Sequence, residues 1–138
     1  MQESTLSTDQ AILQAASALV DAFGRHDVSA YFAAFAEDAS FLFHNHPVRL
    51  ENRAAYQALW QTWEAEAGFR VLACQSSDHH VQWLGTLALF THRVRTTVQL
   101  EGVTQQLQER ESILFRQDVA GGWLAVHEHL SPLPEGCA

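Results

Sequence analysis

Apolar residues recur at two different spacings along the chain, and the spacing changes near residue 69. Before this point they recur every three or four residues, which is the period of a helix with one buried face. After it, apolar and polar residues alternate, which is the period of a strand. The pattern therefore predicts mainly helices in the first half of the chain and strands in the second half.

Three helices are predicted from apolar stripes and from the residues that favour helix ends. The first opens at Ser7 and stops at Gly24, and the second is a short helix capped by Asp27. Asn52 caps the third helix, and Gly68 ends it. These types are expected there because Ser, Asp and Asn side chains accept hydrogen bonds from free amides, and glycine readily adopts the left-handed conformation.

Strands are predicted where β-branched and aromatic residues lie between turn residues. They cover residues 40–44, a short return strand over 48–50, and then 69–77, 79–99, 103–117 and 122–130. Gly102 and Gly121 mark hairpin turns, and Gly85 marks a bend or bulge within the long strand. We expect one α+β domain over 1–138 with its core at about 7–132: a cone-shaped barrel of a curved, mainly antiparallel sheet packed on three helices. The hollow of such a cone is the expected binding pocket.

Composition and charge restrict the classes of partner. The chain has 138 residues, of which 47% are hydrophobic, enough for a globular core. Its net charge of -8 argues against nucleic acid and anionic membranes, which require clustered Lys and Arg. The first residues show neither a basic start nor an apolar run, so no signal peptide or membrane span is expected. Cys74 and Cys137 are too few for a disulfide framework, and we expect reduced thiols in a cytoplasmic protein.

The last predicted strand carries the main candidate site residues. Strict alternation places His127 and His129 on one face and Glu128 on the other. We expect His127 to face the cavity, His129 to lie at its rim, and Glu128 to point outward. A histidine in a cavity can bind a ligand, accept a proton or satisfy a buried polar neighbour, and these alternatives stay open.

Three segments, residues 31–40, 110–116 and 122–132, carry family motifs. The last resembles the ending GxWxIVHxHxS of the nuclear transport factor 2-like superfamily. The resemblance is greatest to the SnoaL-like branch, related to ketosteroid isomerase, and to the association domain of calcium/calmodulin-dependent protein kinase II. It implies a cone-shaped α+β barrel, usually dimeric through the outer face of its sheet. It implies no single activity, because members include isomerases, cyclases, hydratases and assembly hubs.

Arg93 lies late on the long predicted strand, where the resembling kinase hub has an arginine that lines its pocket. A guanidinium in a dry pocket needs an anion, which is either a ligand or a protein carboxylate. Pairing with Glu109 or Glu111 across strands is the alternative. Arg110 lies on the same strand face as Ser112, which stands where the hub has its second pocket arginine.

His44 follows the first predicted strand, near the place where the resembling ketosteroid isomerase carries its proton-abstracting aspartate. A histidine can act as a base near neutral pH, and His127 is the second candidate. No acidic or tyrosine partner for an oxyanion hole can be assigned from the sequence. Trp60 on the third helix is expected to line the pocket and stack on a flat ligand. Paired histidines such as His44 and His46 invite a metal interpretation, but further ligands are lacking, and neither metal nor cofactor is predicted.

These observations predict a homodimeric protein whose pocket binds a small ligand that carries a carboxylate or is partly apolar. The candidate ligand-binding residues are Arg93, Arg110, His127, Trp60, His129 and Ser112. Acid/base chemistry of the isomerase or hydratase type would use His44 or His127. The alternative is a non-catalytic module that dimerises or assembles through its outer sheet face.

Overall fold

A computed structural model describes residues 8–134, which form three helices and one five-stranded sheet. The helices are α1 (Thr8–Gly24), α2 (Val28–Ala33) and α3 (Arg53–Ala67). The strands are β1 (Phe35–Phe43), β2 (Arg70–Leu84), β3 (Leu87–Leu100), β4 (Val103–Gln117) and β5 (Trp123–Pro132). The predicted α+β class is therefore confirmed, with helices before the antiparallel strands.

The described helix ends use the residues predicted for them. Asp27 caps α2 and Asn52 caps α3, each accepting a hydrogen bond from a backbone N–H of the first turn, at 3.2 Å and 2.8 Å. Gly68 ends α3 with φ of 62°, in the left-handed region that glycine adopts without a steric penalty. The predicted first cap, Ser7, lies outside the described residues.

The strand order in the sheet is β1-β5-β4-β3-β2, with β1 parallel to β5 and the other neighbouring pairs antiparallel. The predicted return strand over 48–50 is reduced to a single bridge between Phe41 and Leu50. The helices cover one face of the sheet, and the core joins Tyr31 and Trp60 from the helices to residues such as Phe90. This helix-covered face is called the inner face below, and the opposite one the outer face.

The hairpin between β2 and β3 differs from the prediction. β2 continues to Leu84, and the chain turns through Gly85, whose φ is 66°. The irregularity lies earlier, where the pairing of β2 with β3 shifts between Ser77 and His80 and Asp78 has φ of 57°. One extra residue there forms a β-bulge, and aspartate tolerates the left-handed region better than most residues. The predicted single strand over 79–99 is therefore wrong, because Gly85 forms the turn and Asp78 the bulge.

A bulge in β5 decides which side chains of this strand enter the core. Phe115 pairs with Ala125, but the preceding residue, Leu114, pairs with His127, so β5 carries one extra residue at this point. A shift by one residue reverses the side of every following side chain. Glu128 consequently faces inward and is only 4% exposed, whereas His127 faces outward. The expectation that His127 faces the cavity and Glu128 points outward is wrong for this reason.

Candidate functional site

A cavity of about 90 Å³ lies between the helices and the inner face of the sheet. Its wall is mostly apolar and aromatic, with Trp60 and Phe69 among the large side chains. The ionisable groups in the wall are concentrated on the sheet side and around two helical tyrosines: Glu109, Glu111, Glu128, Tyr31, Tyr56 and Cys74. An apolar pocket with a few convergent polar groups is the default location for a binding or active site.

Two tyrosine hydroxyls meet in this cavity. The hydroxyl oxygens of Tyr31 and Tyr56 are 2.9 Å apart, and the Tyr31 hydroxyl lies 3.5 Å from Oε1 of Glu128. Burial, reinforced by the nearby Glu128 carboxyl group, raises the pKa of both tyrosines well above the usual value of 10.0. Both phenols therefore keep their protons near neutral pH and can donate hydrogen bonds.

Glu111 and Glu128 share a hydrogen bond inside the protein. Burial is the main cause that raises the pKa of each, and the proximity of Glu111 raises the pKa of Glu128 further, well above 4.5. Two buried carboxyl groups in contact cannot both ionise at low cost, so the pair retains a proton. Glu128 is then a carboxylic acid, and a neutral acid can donate a hydrogen bond to a ligand oxygen.

His92 supports Glu111 from β3. Its Nε2 lies 2.7 Å from Oε1 of Glu111, and its Nδ1 lies 2.5 Å from Oγ of Ser76. The imidazole is fully buried, and burial lowers its pKa to about 4, so it is neutral near pH 7. A neutral imidazole donates from one nitrogen only. Because a carboxylate must accept, Nε2–H donates to Glu111, and Nδ1 accepts the hydroxyl proton of Ser76.

A second histidine–glutamate pair joins the cavity to the surface. Nε2 of His44 lies 2.5 Å from Oε2 of Glu109, whose side chain is 5% exposed against 32% for His44. Burial raises the pKa of Glu109, while the hydrogen bond with His44 acts in the opposite direction. His44, predicted as a catalytic candidate, therefore contacts the cavity through Glu109.

The sequence-predicted ligand residues fall on two sides of the sheet. Trp60 lines the cavity, and its Nε1 donates to Glu64 at 2.8 Å. The others lie on the outer face: Arg93, Arg110, Ser112, His127 and His129. The structure thus brings these five to one face, but not to the cavity, and their role in ligand binding stays a prediction.

The arginines lie outside because of the phase of β3 and β4. His92 and Val94 point inward and are buried, so Arg93 between them points outward and carries a weak ion pair with Asp78 at 3.7 Å. Arg93 is directly opposite Arg110 across the two strands. The alternative that Arg93 pairs with Glu109 or Glu111 is wrong as well, since both glutamates face inward.

Sequence reasoning missed the inward glutamates, although part of the signal was present. Glu109 and Glu111 alternate with polar neighbours and continue the series of Ile113 and Phe115. Residues at i, i+2, i+4 and i+6 of a strand share a face, so the apolar members predict that the glutamates also face the core. No comparable signal exists for Glu128, whose orientation depends on the bulge in β5.

Two features are absent from the part of the chain that the structure describes. Within residues 8–134, no three His, Cys, Asp or Glu side chains are grouped so that they could hold a metal ion. None of the helices in this range combines the length and the apolar character needed to cross a membrane.

Comparison with known proteins identifies the family. A family model described as SnoaL-like domain matches residues 12–135, and the chain belongs to this family. A ketosteroid isomerase-like protein from Erwinia carotovora atroseptica has a similar structure, with a TM-score of 0.74 and 21% identity over 90% of this chain and 95% of that one.

Two other solved structures show the same fold at low identity. The CaMKII hub of S. rosetta gives a TM-score of 0.75 at 18% identity, covering 94% of this chain and 100% of the hub. An NTF2-like protein of unknown function in nutrient uptake from Rhodospirillum rubrum gives 0.76 at 18%, covering 89% and 98%. No curated protein matches the chain. The predicted nuclear transport factor 2-like fold is therefore confirmed.

Proposed function

We propose that the inner cavity binds a small, neutral, partly apolar molecule through a carbonyl-type oxygen and catalyses proton transfer on it. The observation that carries this proposal is the meeting of a neutral Glu128 carboxyl group with the Tyr31–Tyr56 hydroxyl pair in an apolar wall. Hydrogen-bond donors fixed in a dry site stabilise negative charge that develops on an oxygen. The same combination of a tyrosine and a protonated carboxylic acid forms the oxyanion hole of ketosteroid isomerase.

Glu109 is the proposed general base, with His44 as the residue that orients it. Glu109 and Glu128 lie on the neighbouring strands β4 and β5 and line the same cavity. A molecule whose oxygen contacts Glu128 can therefore present an adjacent carbon to Glu109. The raised pKa of Glu109 makes its carboxylate a stronger base than an exposed one. The similarity to a ketosteroid isomerase-like protein supports this reaction class.

The size and charge of the cavity restrict the ligand. A volume of about 90 Å³ is smaller than the engineered cavity of about 150 Å³ that holds benzene in another protein. The site therefore suits a molecule of a few heavy atoms or one end of a larger molecule. Because the described ionisable wall groups are acids and weak acids, a ligand carboxylate would be repelled. Of the two ligand types predicted from the sequence, the cavity favours the partly apolar one.

A matched pair of probes tests this preference. Methyl propyl ketone and butanoate have the same shape, but only butanoate is charged. We expect the ketone to raise the thermal unfolding midpoint with increasing concentration, because a molecule that binds only the folded state stabilises it. Butanoate should have no such effect on the wild type or on Arg93→Ala. If butanoate stabilises the wild type and Arg93→Ala removes that effect, the arginine-based hypothesis is correct and the cavity proposal is wrong.

The outer face supports a second candidate, self-association. Arg93 and Arg110 lie directly opposite one another in an open groove of about 460 Å³, together with Ser112 and His129. Like charges opposite one another in a sheet are unfavourable, so this surface favours an acidic or anionic partner. A second copy of the chain, with net charge -8, offers such groups.

Sedimentation velocity tests this candidate with a matched pair of charge reversals. Arg110→Glu should shift a wild-type dimer towards monomer. Arg25→Glu should not, because Arg25 lies between α1 and α2, away from the outer face, with a 58% exposed side chain. A wild type that sediments as a monomer, or an Arg110→Glu variant that remains dimeric, would exclude the outer face as the interface.

A further inference from the structure

A continuous series of hydrogen bonds connects the edge of the sheet with the middle of the cavity. It passes in order through His79, Ser76, His92, Glu111, Glu128, Tyr31 and Tyr56. We propose that the segment from His79 to Glu111 is a proton relay, through which the Glu111–Glu128 pair exchanges its proton with solvent. The inference rests on the proposed function and deepens it, since it names the route by which the neutral acid of that site takes up its proton from solvent.

The relay contacts are short and share one hydroxyl. Oγ of Ser76 lies 2.8 Å from Nε2 of His79 and 2.5 Å from Nδ1 of His92. A hydroxyl group donates one hydrogen bond and can accept others. Ser76 therefore donates to one histidine while it accepts from the other, which is the arrangement that passes a proton along a chain. His79 is exposed and His92 is buried, so the series crosses from solvent to core within two hydrogen bonds.

The bulge in β2 makes the contact between Ser76 and His79. In a regular strand, residues three apart point to opposite faces of the sheet. The extra residue near Asp78, with φ of 57°, returns His79 to the side of Ser76. β2 is also an edge strand of the sheet, so this contact faces solvent. Bulges are concentrated at sheet edges and beside active sites, where they redirect a side chain.

A purely structural role explains only part of this series. His92 alone is sufficient to give Glu111 a hydrogen-bond donor, and a water molecule could serve Nδ1 of His92 equally well. An exposed imidazole placed on Ser76 adds nothing to the satisfaction of Glu111. What His79 adds is an exposed imidazole, a side chain that can carry a proton, directly beside the hydroxyl.

The relay from His79 to Glu111 conserves the number of protons. A protonated His79 gives the proton on Nε2 to Oγ of Ser76, whose own proton moves to Nδ1 of His92. The proton on Nε2 of His92 then moves to Oε1 of Glu111. The net result is a neutral His79 and one proton gained by the Glu111–Glu128 pair, while His92 remains neutral with its proton on the other nitrogen. The reverse series of steps releases a proton to solvent.

Infrared spectroscopy on the protein without added ligand tests the relay. A protonated buried carboxyl group has a carbonyl stretch distinct from that of carboxylates, and the band shifts when its proton is replaced by deuterium. Loss of the band in Glu128→Gln assigns it to the pair. After rapid mixing with D2O, we expect Ser76→Ala to slow the shift about tenfold, which corresponds to about 1.4 kcal/mol in the barrier.

Two matched variants make the outcome specific. Ser76→Thr keeps a hydroxyl group and should exchange at the wild-type rate. Ser77→Ala removes the neighbouring hydroxyl, on the opposite face of β2 and paired with Arg93, and should also leave the rate unchanged. Circular dichroism and urea unfolding establish that the variants are folded.

The proposal is overturned if Ser76→Ala exchanges as fast as Ser77→Ala, or if the wild type shows no protonated carboxyl band. A normal ketone-induced shift in the unfolding midpoint of Ser76→Ala would then show that the cavity still binds its probe. Fast exchange in Ser76→Ala therefore overturns the relay alone, whereas a missing carboxyl band in the wild type also removes the neutral Glu128 on which the proposed function depends.

Discussion

Replacing Glu128 with glutamine should remove a pH dependence of stability that the wild-type protein carries. Burial raises the pKa of Glu128 well above 4.5 in the folded state. In the unfolded chain a glutamate loses its proton near a pKa of about 4.3. Between these two pKa values the folded state binds one more proton than the unfolded state. Stability is therefore greatest below the unfolded pKa, and it is lost as pH rises towards the folded pKa.

The slope of the free energy of unfolding against pH follows directly from the proton that Glu128 retains in the folded state. One proton changes the free energy of unfolding by about 1.4 kcal/mol per pH unit. The pKa of His92, which burial lowers to about 4, gives a slope of the opposite sign below its unfolded pKa of about 6.5. A window from about pH 6.5 to about pH 7.5 avoids most of this contribution. Glutamine keeps the shape of Glu128 and can donate an N–H to Glu111, so the variant tests the proton rather than the packing.

Urea unfolding at the two ends of this window measures the effect. The difference in free energy of unfolding, wild type minus Glu128→Gln, should fall as pH rises through this window, with a limit of about 1.4 kcal/mol per pH unit for one retained proton. Glu37→Gln is the control, because the Glu37 side chain is 91% exposed, and its difference should not change with pH. If the difference between the wild type and Glu128→Gln is also independent of pH, Glu128 does not retain a proton in the folded state.

Three further predictions concern His92, Arg93 and Cys74. His92→Ala should lower the free energy of unfolding by about 1–3 kcal/mol, because Glu111 loses a buried hydrogen-bond partner. His80→Ala, at an exposed position, should change this free energy by less than about 0.5 kcal/mol. Urea unfolding measures both variants. Arg93→Ala should cost less than about 1 kcal/mol, since its ion pair is exposed and weak, and a larger loss would show that it is part of the core. In a Cys137→Ser background, Cys74 should react with iodoacetamide near pH 8 far more slowly than a free thiol, because burial raises the pKa of Cys74 to about 11. A reaction rate like that of glutathione would contradict the burial of Cys74.

Local signals in the sequence were sufficient for most of the fold. Asp27, Asn52 and Gly68 define helix ends through contacts within one turn of the chain, so their roles can be predicted without tertiary knowledge. The alternating pattern likewise predicts strands. It does not predict their phase across a bulge, and the added residue in β5 reversed the predicted sides of His127 and Glu128.

The candidate site was less predictable because it depends on contacts between distant elements. Trp60 could be placed on the pocket wall from the apolar stripe of its helix. Tyr31 and Tyr56 belong to different helices, and only the packed structure shows that their hydroxyls meet beside Glu128. A charged residue on an apolar strand face is normally unfavourable, so buried acids indicate a function that the pattern alone cannot specify.

The most direct test of the account is proton exchange on a ketone. Methyl propyl ketone in D2O loses the hydrogens next to its carbonyl group when a base removes them, and proton NMR follows their loss. We expect the wild-type protein and Glu37→Gln to accelerate this exchange equally and Glu109→Gln to reduce the acceleration by about 100-fold or more, the usual contribution of a general base. Equal rates for Glu109→Gln and Glu37→Gln, or no acceleration by the wild type, would contradict proton transfer in the inner cavity.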